Sequence, residues 1–206
     1  ARRELDSAEA VQSLRAASGR RATGGWLDYS FDLGAHVRAI VLDLARRGGG
    51  SGGLVHAGQA DWLARELGGG GKRWILVISH QPLLSSQGGD QILALLDQHP
   101  RVVAAISGHI HRNAITARRS AAGGYWLIST ASLIDYPQQA RAIRLLATAG
   151  GGVAIQTWML DHVTGGPLGT ISRELAYLDA QGGRPQGFAG GRLDRNVTLY
   201  RAAART

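Results

Sequence analysis

Two apolar runs of this chain end in histidine. The first reads Trp74-Ile75-Leu76-Val77-Ile78-Ser79 and delivers His80-Gln81-Pro82-Leu83; the second reads Val102-Val103-Ala104-Ala105-Ile106-Ser107 and delivers Gly108-His109-Ile110-His111. Imidazole nitrogen suits zinc, iron and manganese-type ions better than calcium. In extended backbone, residues i and i+2 face the same side, roughly 6–7 Å apart at about 3.3 Å per residue. His109 and His111 so placed can flank a pair of ions about 3.5–4 Å apart. Gly108 removes a side chain where backbone approaches closely or turns, and Pro82 fixes the chain direction just after His80. The trio His80, His109 and His111 is therefore read as a metal site. His36, His56, His99 and His162 stand beside turns or inside a strand pattern and are read as structural or solvent-exposed.

The elements that must position this trio follow from periodicity. Short continuous apolar runs such as 74–79 and 101–107 are the mark of strands buried on both faces. Between them, 90–98 carries Ile92, Leu93, Leu95 and Leu96 at helical spacing. Residues 6–17 open with Asp6 and place Glu9 three positions on, a capping box. Leu27, Tyr29, Phe31 and Leu33 alternate with polar residues, and Gly34-Ala35 turns the chain into a second apolar run from His36 to Leu42, predicting a β-hairpin. Residues 19–25 read as a basic glycine-containing loop and 48–53 as a flexible one; Trp62, Leu63 and Leu67 mark a helix over 59–67 stopped by Gly68 to Gly71. Three further strands are expected at 125–130, 140–146 and 153–159, and a short helix at 171–180; the rest of the C-terminus is glycine-rich and poorly specified. The order is that of an α/β or layered αβ protein, in which active residues sit at strand C-termini.

Composition narrows the function classes. The chain has 206 residues, 44% of them hydrophobic and 18% charged, which is ordinary for a globular protein. No apolar run approaches the roughly 20 residues that cross a bilayer. There is no cysteine, which excludes disulfides and thiolate metal sites. The net charge is +8, yet Lys72 is the one lysine and the arginines fall in scattered pairs such as Arg2-Arg3, Arg20-Arg21, Arg46-Arg47 and Arg118-Arg119. That pattern reads as codon bias more than as a nucleic-acid footprint, and it suits an anionic, phosphate-bearing small-molecule substrate equally well.

The S-H-Q-P-L and S-G-H-I-H segments resemble the last two signature blocks of the calcineurin-like metallophosphoesterases. Val41-Leu42-Asp43, then Gln59 with Trp62-Leu63, resembles the strand and helix before the lone-histidine block, and Tyr125 to Leu133 resembles the strand after the paired histidines. Asp135-Tyr136-Pro137-Gln138-Gln139-Ala140-Arg141, with Thr157 to His162, is similar to an actinobacterial branch with twin-arginine export signals and long insertions between motifs. The resemblance implies the C-terminal half of a four-layer αββα sandwich, with a mixed sheet and flanking helices. It implies residues 1–25 as an insertion-like helix and loop, 26–162 as that half-domain, and 163–206 as a C-terminal extension. It implies an exported protein.

For the site, the resemblance implies two divalent ions (manganese, iron or zinc), with His80 and His109 on one and His111 on the other. The ions would bind a phosphate mono- or diester and make hydroxide available near neutral pH. Gln81, Arg112 and Asn113 stand beside the ligands and would contact phosphate. Three blocks of the family have no counterpart here: an Asp-x-His pair, a Gly-Asp-x-x-Asp/Asn segment and a Gly-Asn-His segment. Since they precede the hairpin in the family, and since the chain starts at Ala1 with Met159 its one methionine, they are expected upstream, in a missing N-terminal half of the same domain. This half alone would bind metal weakly, turn over no substrate, and expose a sheet edge and an apolar face. The competing expectations are a degenerate relative acting as a binding or regulatory module, and a phosphodiesterase acting on nucleic acid.

Overall fold

A computed structural model describes residues 3–18, 26–162, 165–182 and 187–204; the basic loop expected at 19–25 lies outside them. Helix α1 spans Ser7–Ser18. Its start is the capping box that the spacing predicts: the Glu9 amide donates to Asp6 Oδ1 at 2.8 Å and the Asp6 amide to Glu9 Oε2 at 3.1 Å.

Strands β1 (Tyr29–Leu33) and β2 (Val37–Leu42) form the expected hairpin, with Leu33 opposite Val37. Gly34 takes the left-handed φ of 69° that its turn requires. Helix α2 (Gln59–Gly69) turns Leu63 and Leu67 inward, and strand β3 (Trp74–Ser79) follows, parallel to β2. A 3₁₀ turn at Leu83–Ser85 leads into helix α3 (Gly89–Gln98), which buries Ile92, Leu93 and Leu96. Strand β4 (Val102–Ser107) pairs parallel to β3; β5 (Ala114–Arg118) and β6 (Tyr125–Ser129) complete a mixed sheet of six strands in the order β1-β2-β3-β4-β6-β5. Strands β7 (Gln139–Ala147), β8 (Val153–Asp161) and β9 (Val197–Arg201) form an antiparallel sheet of three, and helix α4 covers Gly166–Gln181.

The chain is thus a mixed α/β protein with helices flanking a mixed sheet. Two apolar cores explain the layering. Leu63, Leu67, Ile92 and Leu96 pack against Ile40, Ile75, Val77 and Val102 on one face of the large sheet. Leu76, Val103, Ala104 and Ile128 on its other face meet Val153, Ile155 and Leu199 of the small sheet. Alternate residues of β3 serve opposite cores, as the pleat demands, and that is why its sequence reads as continuously apolar. Helix α4 is held to the 132–138 loop by Ser172 Oγ donating to Gln138 Oε1 at 2.6 Å and by the Tyr136 amide donating to Asp179 Oδ2 at 2.7 Å. No helix among the described residues is long and apolar enough to cross a membrane.

Three elements depart from the sequence expectation. Strands β5 and β9 were not foreseen: each is five residues long and lies at the edge of its sheet, too short and half-exposed for a strong period. Helix α4 is longer than 171–180 because Gly166 and Pro167 join its first turn. The 48–53 loop is also pinned at its end, since Gly53 O accepts from the Gln87 amide at 2.9 Å.

The packing of α3 against the turn after His80 is close enough to be tested. A Cβ on Gly89 would stand 2.0 Å from Leu83 O, a backbone atom that cannot swing aside. Gly89→Ala must push α3 away from the 83–85 turn, and we expect a loss of about 2–3 kcal/mol in urea denaturation, the scale of overpacking a tight site.

Candidate metal centre

All the parallel strands end on one edge, and the histidines stand just past it. Ser79 Oγ donates to Gln81 O at 2.7 Å, bending the chain as it leaves β3. The Gly108 amide donates to His80 O at 3.0 Å, stitching the two histidine loops together. The Ile110 amide donates to Gly108 O at 2.7 Å, closing a three-residue turn around His109. His109 has φ 65° and His111 φ 55°. Left-handed backbone at a side chain larger than glycine costs on the order of 1–3 kcal/mol and clusters at functional sites.

This corrects the extended geometry expected for His109-x-His111: β4 ends at Ser107, so both residues lie in turns and not on one strand face. At Gly108 the approach is made by its amide on His80 O, while a Cβ there would meet His80 Nδ1 at 3.8 Å and His80 O at 3.9 Å, both ordinary contacts.

The turns bring two imidazoles into register. His109 Nδ1 lies 3.3 Å from His80 Nε2, with ring centroids 5.2 Å apart and planes at 74°. Two nitrogens on one tetrahedral ion at about 2.0–2.1 Å each are separated by about 3.3–3.4 Å, so the pair has the bite of two ligands of one cation. His80 sits below its ordinary value of 6.5, first because of burial and then because His109 and His111 repel a further positive charge. It is neutral at neutral pH, with a lone pair to give. His111 points its Nδ1 at Asp135 Oδ2. A carboxylate on one ring nitrogen fixes the tautomer and leaves Nε2 as the donor toward a metal.

All three histidines line one cavity of about 490 Å³, together with Thr130, Ser132, Gln139 and Arg141. Arg141 is the positive group of this wall. Burial, partly offset by Asp194, lowers its pKa to about 10, so it keeps its charge at neutral pH. It donates to Thr130 Oγ1 (3.2 Å), Thr157 Oγ1 (2.9 Å), Asn113 Oδ1 (3.1 Å) and the carbonyls of Ser129 (3.4 Å), Asp194 (2.6 Å) and Arg195 (3.2 Å).

The three residues expected to contact phosphate are placed elsewhere. Asn113 is fully buried and spent on the chain itself: its Oδ1 accepts from the Ala131 amide at 3.0 Å and from Arg141, and its Nδ2 donates to Gln139 Oε1 at 3.4 Å and Ala189 O at 3.3 Å. Its backbone amide donates to Phe188 O at 2.9 Å, while the Ile115 amide donates to Asp194 Oδ1 at 2.8 Å. Gln81 is buried against the 51–53 loop, with its amide 3.5 Å from Ser51 O. Arg112 is exposed and lies along Gly187, where a Cβ would meet its Nη2 at 2.9 Å. None of the three lines the histidine cavity.

The histidines read as structural or solvent-exposed include one of consequence for the fold: His56 Nε2 bonds Asp28 Oδ2 at 2.5 Å, and its ring stacks on Trp26 at 4.1 Å. Asp135 and Arg141 were missed as site residues because their partners are remote in sequence.

As a metal site the cluster is partial. Among the described residues, no group of three or more His, Cys, Asp or Glu side chains converges to hold an ion. The His80–His109 pair fits two positions of a ligand set; His111 is turned to Asp135, and a bridging carboxylate is not among the cavity residues.

No family model matches the chain, and no curated protein matches it. Among solved structures, a dimetal phosphatase from Danio rerio superposes with a TM-score of 0.56 and 15% identity, covering 74% of this chain and 68% of that one. At that identity the likeness is one of fold.

Proposed function

We propose that the protein is a metal-dependent phosphoesterase and that this chain supplies the histidine side of its centre. The observation that carries the reading is the 3.3 Å approach of His80 Nε2 to His109 Nδ1 at the C-terminal edge of parallel strands, in a fold shared with a dimetal phosphatase. His80 and His109 would hold one divalent ion of the manganese, iron or zinc class, and His111, oriented by Asp135, a second. When bound, such ions supply Lewis acidity toward the oxygens of a phosphate ester. The chain's own residues do the rest. His80, held neutral, offers a lone pair without first losing a proton. Arg141 places a fixed positive charge in the cavity wall, which draws an anionic small-molecule ester inward. The carboxylates that would complete the centre would come, in this reading, from a partner segment carrying the family's Asp-x-His, Gly-Asp-x-x-Asp/Asn and Gly-Asn-His blocks. If the resemblance to an exported branch holds, the protein would work outside the cytoplasm.

The test joins this chain to the segment encoded directly upstream of it and assays p-nitrophenyl phosphate and its bis ester with manganese, iron or zinc. We expect hydrolysis that requires metal and the joined segment, and that disappears in the His80→Ala, His109→Ala double variant. A second reading has an observation in its favour, the incomplete donor set: a degenerate relative that binds a partner without catalysis. An upstream segment without those three blocks, with no hydrolysis at any metal, would establish that reading instead.

A further inference from the structure

At the end of β6 remote from the histidines lies a second cavity, of about 290 Å³, lined by Arg118, Arg119, Gly123, Gly124, Trp126, Tyr200 and Arg201 among others. Tyr125 opens β6 at this end and Ser129 closes it at the other, a separation of about 13 Å along an extended strand. We propose that this cavity binds an oxyanion of the phosphate class, independently of the histidine centre.

Arg201 is 6% exposed. A buried charge is retained at low cost only when it is paired. Arg201 donates to three carbonyls, Ala202 O at 3.1 Å and Pro100 O and Ala122 O each at 2.8 Å. Among the described residues its buried Nε–H has no partner, and the side chain forms no ion pair with a carboxylate. Burial alone lowers its pKa, with no acidic neighbour acting against it. Arg118, by contrast, is matched two-pronged to Asp97 at 2.7 and 2.6 Å. Arg119 is exposed and makes no hydrogen bond or ion pair among the described residues. Among the described residues, two guanidinium groups of this cavity therefore have no counter-charge.

The backbone around it is shaped to admit them. Gly123 has φ +107°, and a Cβ there would stand 2.7 Å from Arg201 Nη1. The turn is fixed by the Gly123 amide donating to Ser120 O at 3.0 Å and the Gly124 amide donating to Ser120 Oγ at 3.1 Å. The opposite wall is rigid too, with Trp126 Nε1 donating to Tyr200 O at 3.2 Å. A clamp that only anchored β9 would need the three carbonyls; it would not need an uncompensated charge beside a second unpaired arginine. Planar guanidinium donors match tetrahedral oxyanions in two-pronged fashion.

The probe is inorganic phosphate, titrated into the protein at constant ionic strength with chloride as the reference and read by calorimetry and amide resonances. We expect resonance shifts centred on Gly123 and Gly124, and binding weakened about tenfold in Arg119→Gln, the value of one charge-assisted hydrogen bond. Binding in His80→Ala should match the unmodified protein, which separates this site from the histidine centre. Arg65→Gln, an equal charge change at an exposed position of α2, should leave binding intact. Shifts confined to residues around His80 and His109, or an Arg65→Gln loss as large as that of Arg119→Gln, would overturn the proposal.

Discussion

Alanine at either His80 or His109 will lower the affinity for zinc or manganese by more than about a hundredfold, read by competition against a chromophoric chelator. Loss of a supporting partner behind a ligand costs 10–100-fold, and removal of a ligand itself exceeds that. The two variants should be equivalent, because the nitrogens stand 3.3 Å apart and each is half of the same bite. His36→Ala, at an exposed position just before β2, is the control and should leave affinity unchanged. Metal content that stays the same in both His80→Ala and His109→Ala removes the centre from this chain, and the phosphoesterase reading with it.

The largest expected effect on stability belongs to a residue that touches no ligand. Asn113→Ala deletes a fully buried amide that joins four partners. The Ala131 amide and one Arg141 N–H lose their acceptor. Each buried group so orphaned costs about 1–3 kcal/mol, and the void adds to it. The sum, about 3–5 kcal/mol, is a large share of the 5–15 kcal/mol that holds an ordinary domain together. Asn113→Asp keeps the acceptor beside Arg141 and should lose less. Urea midpoints of the two variants decide the matter; equal midpoints, both near that of the unmodified protein, would mean that Asn113 is not the tie described.

Strands β3 and β4 were legible in the sequence because both their faces are buried, which leaves an uninterrupted apolar run and a clear point where it stops. The histidines following those points were therefore legible too. Their geometry was not. Whether His109 and His111 continue a strand or turn depends on one amide, Ile110, closing on Gly108, and no periodicity reports that. Asp135, 24 residues from His111, and Asp194, 53 from Arg141, were invisible for a related reason: a hydrogen bond between remote segments leaves no pattern in either. The same distance hid the role of Asn113. Beside the histidines in sequence it looked like a ligand contact, while its amide reaches Ala189, 76 residues on.

That long reach bears on how the molecule opens. With the amides of Asn113 and Ile115 bonded to Phe188 and Asp194, these two amides, just past the imidazole-bearing turn, cannot exchange their protons with solvent until the segment before β9 lifts away. The two form a single cooperative unit in the sense of local unfolding. A proteolytic nick between 187 and 196 would loosen His109 and His111 from behind, without touching either ring.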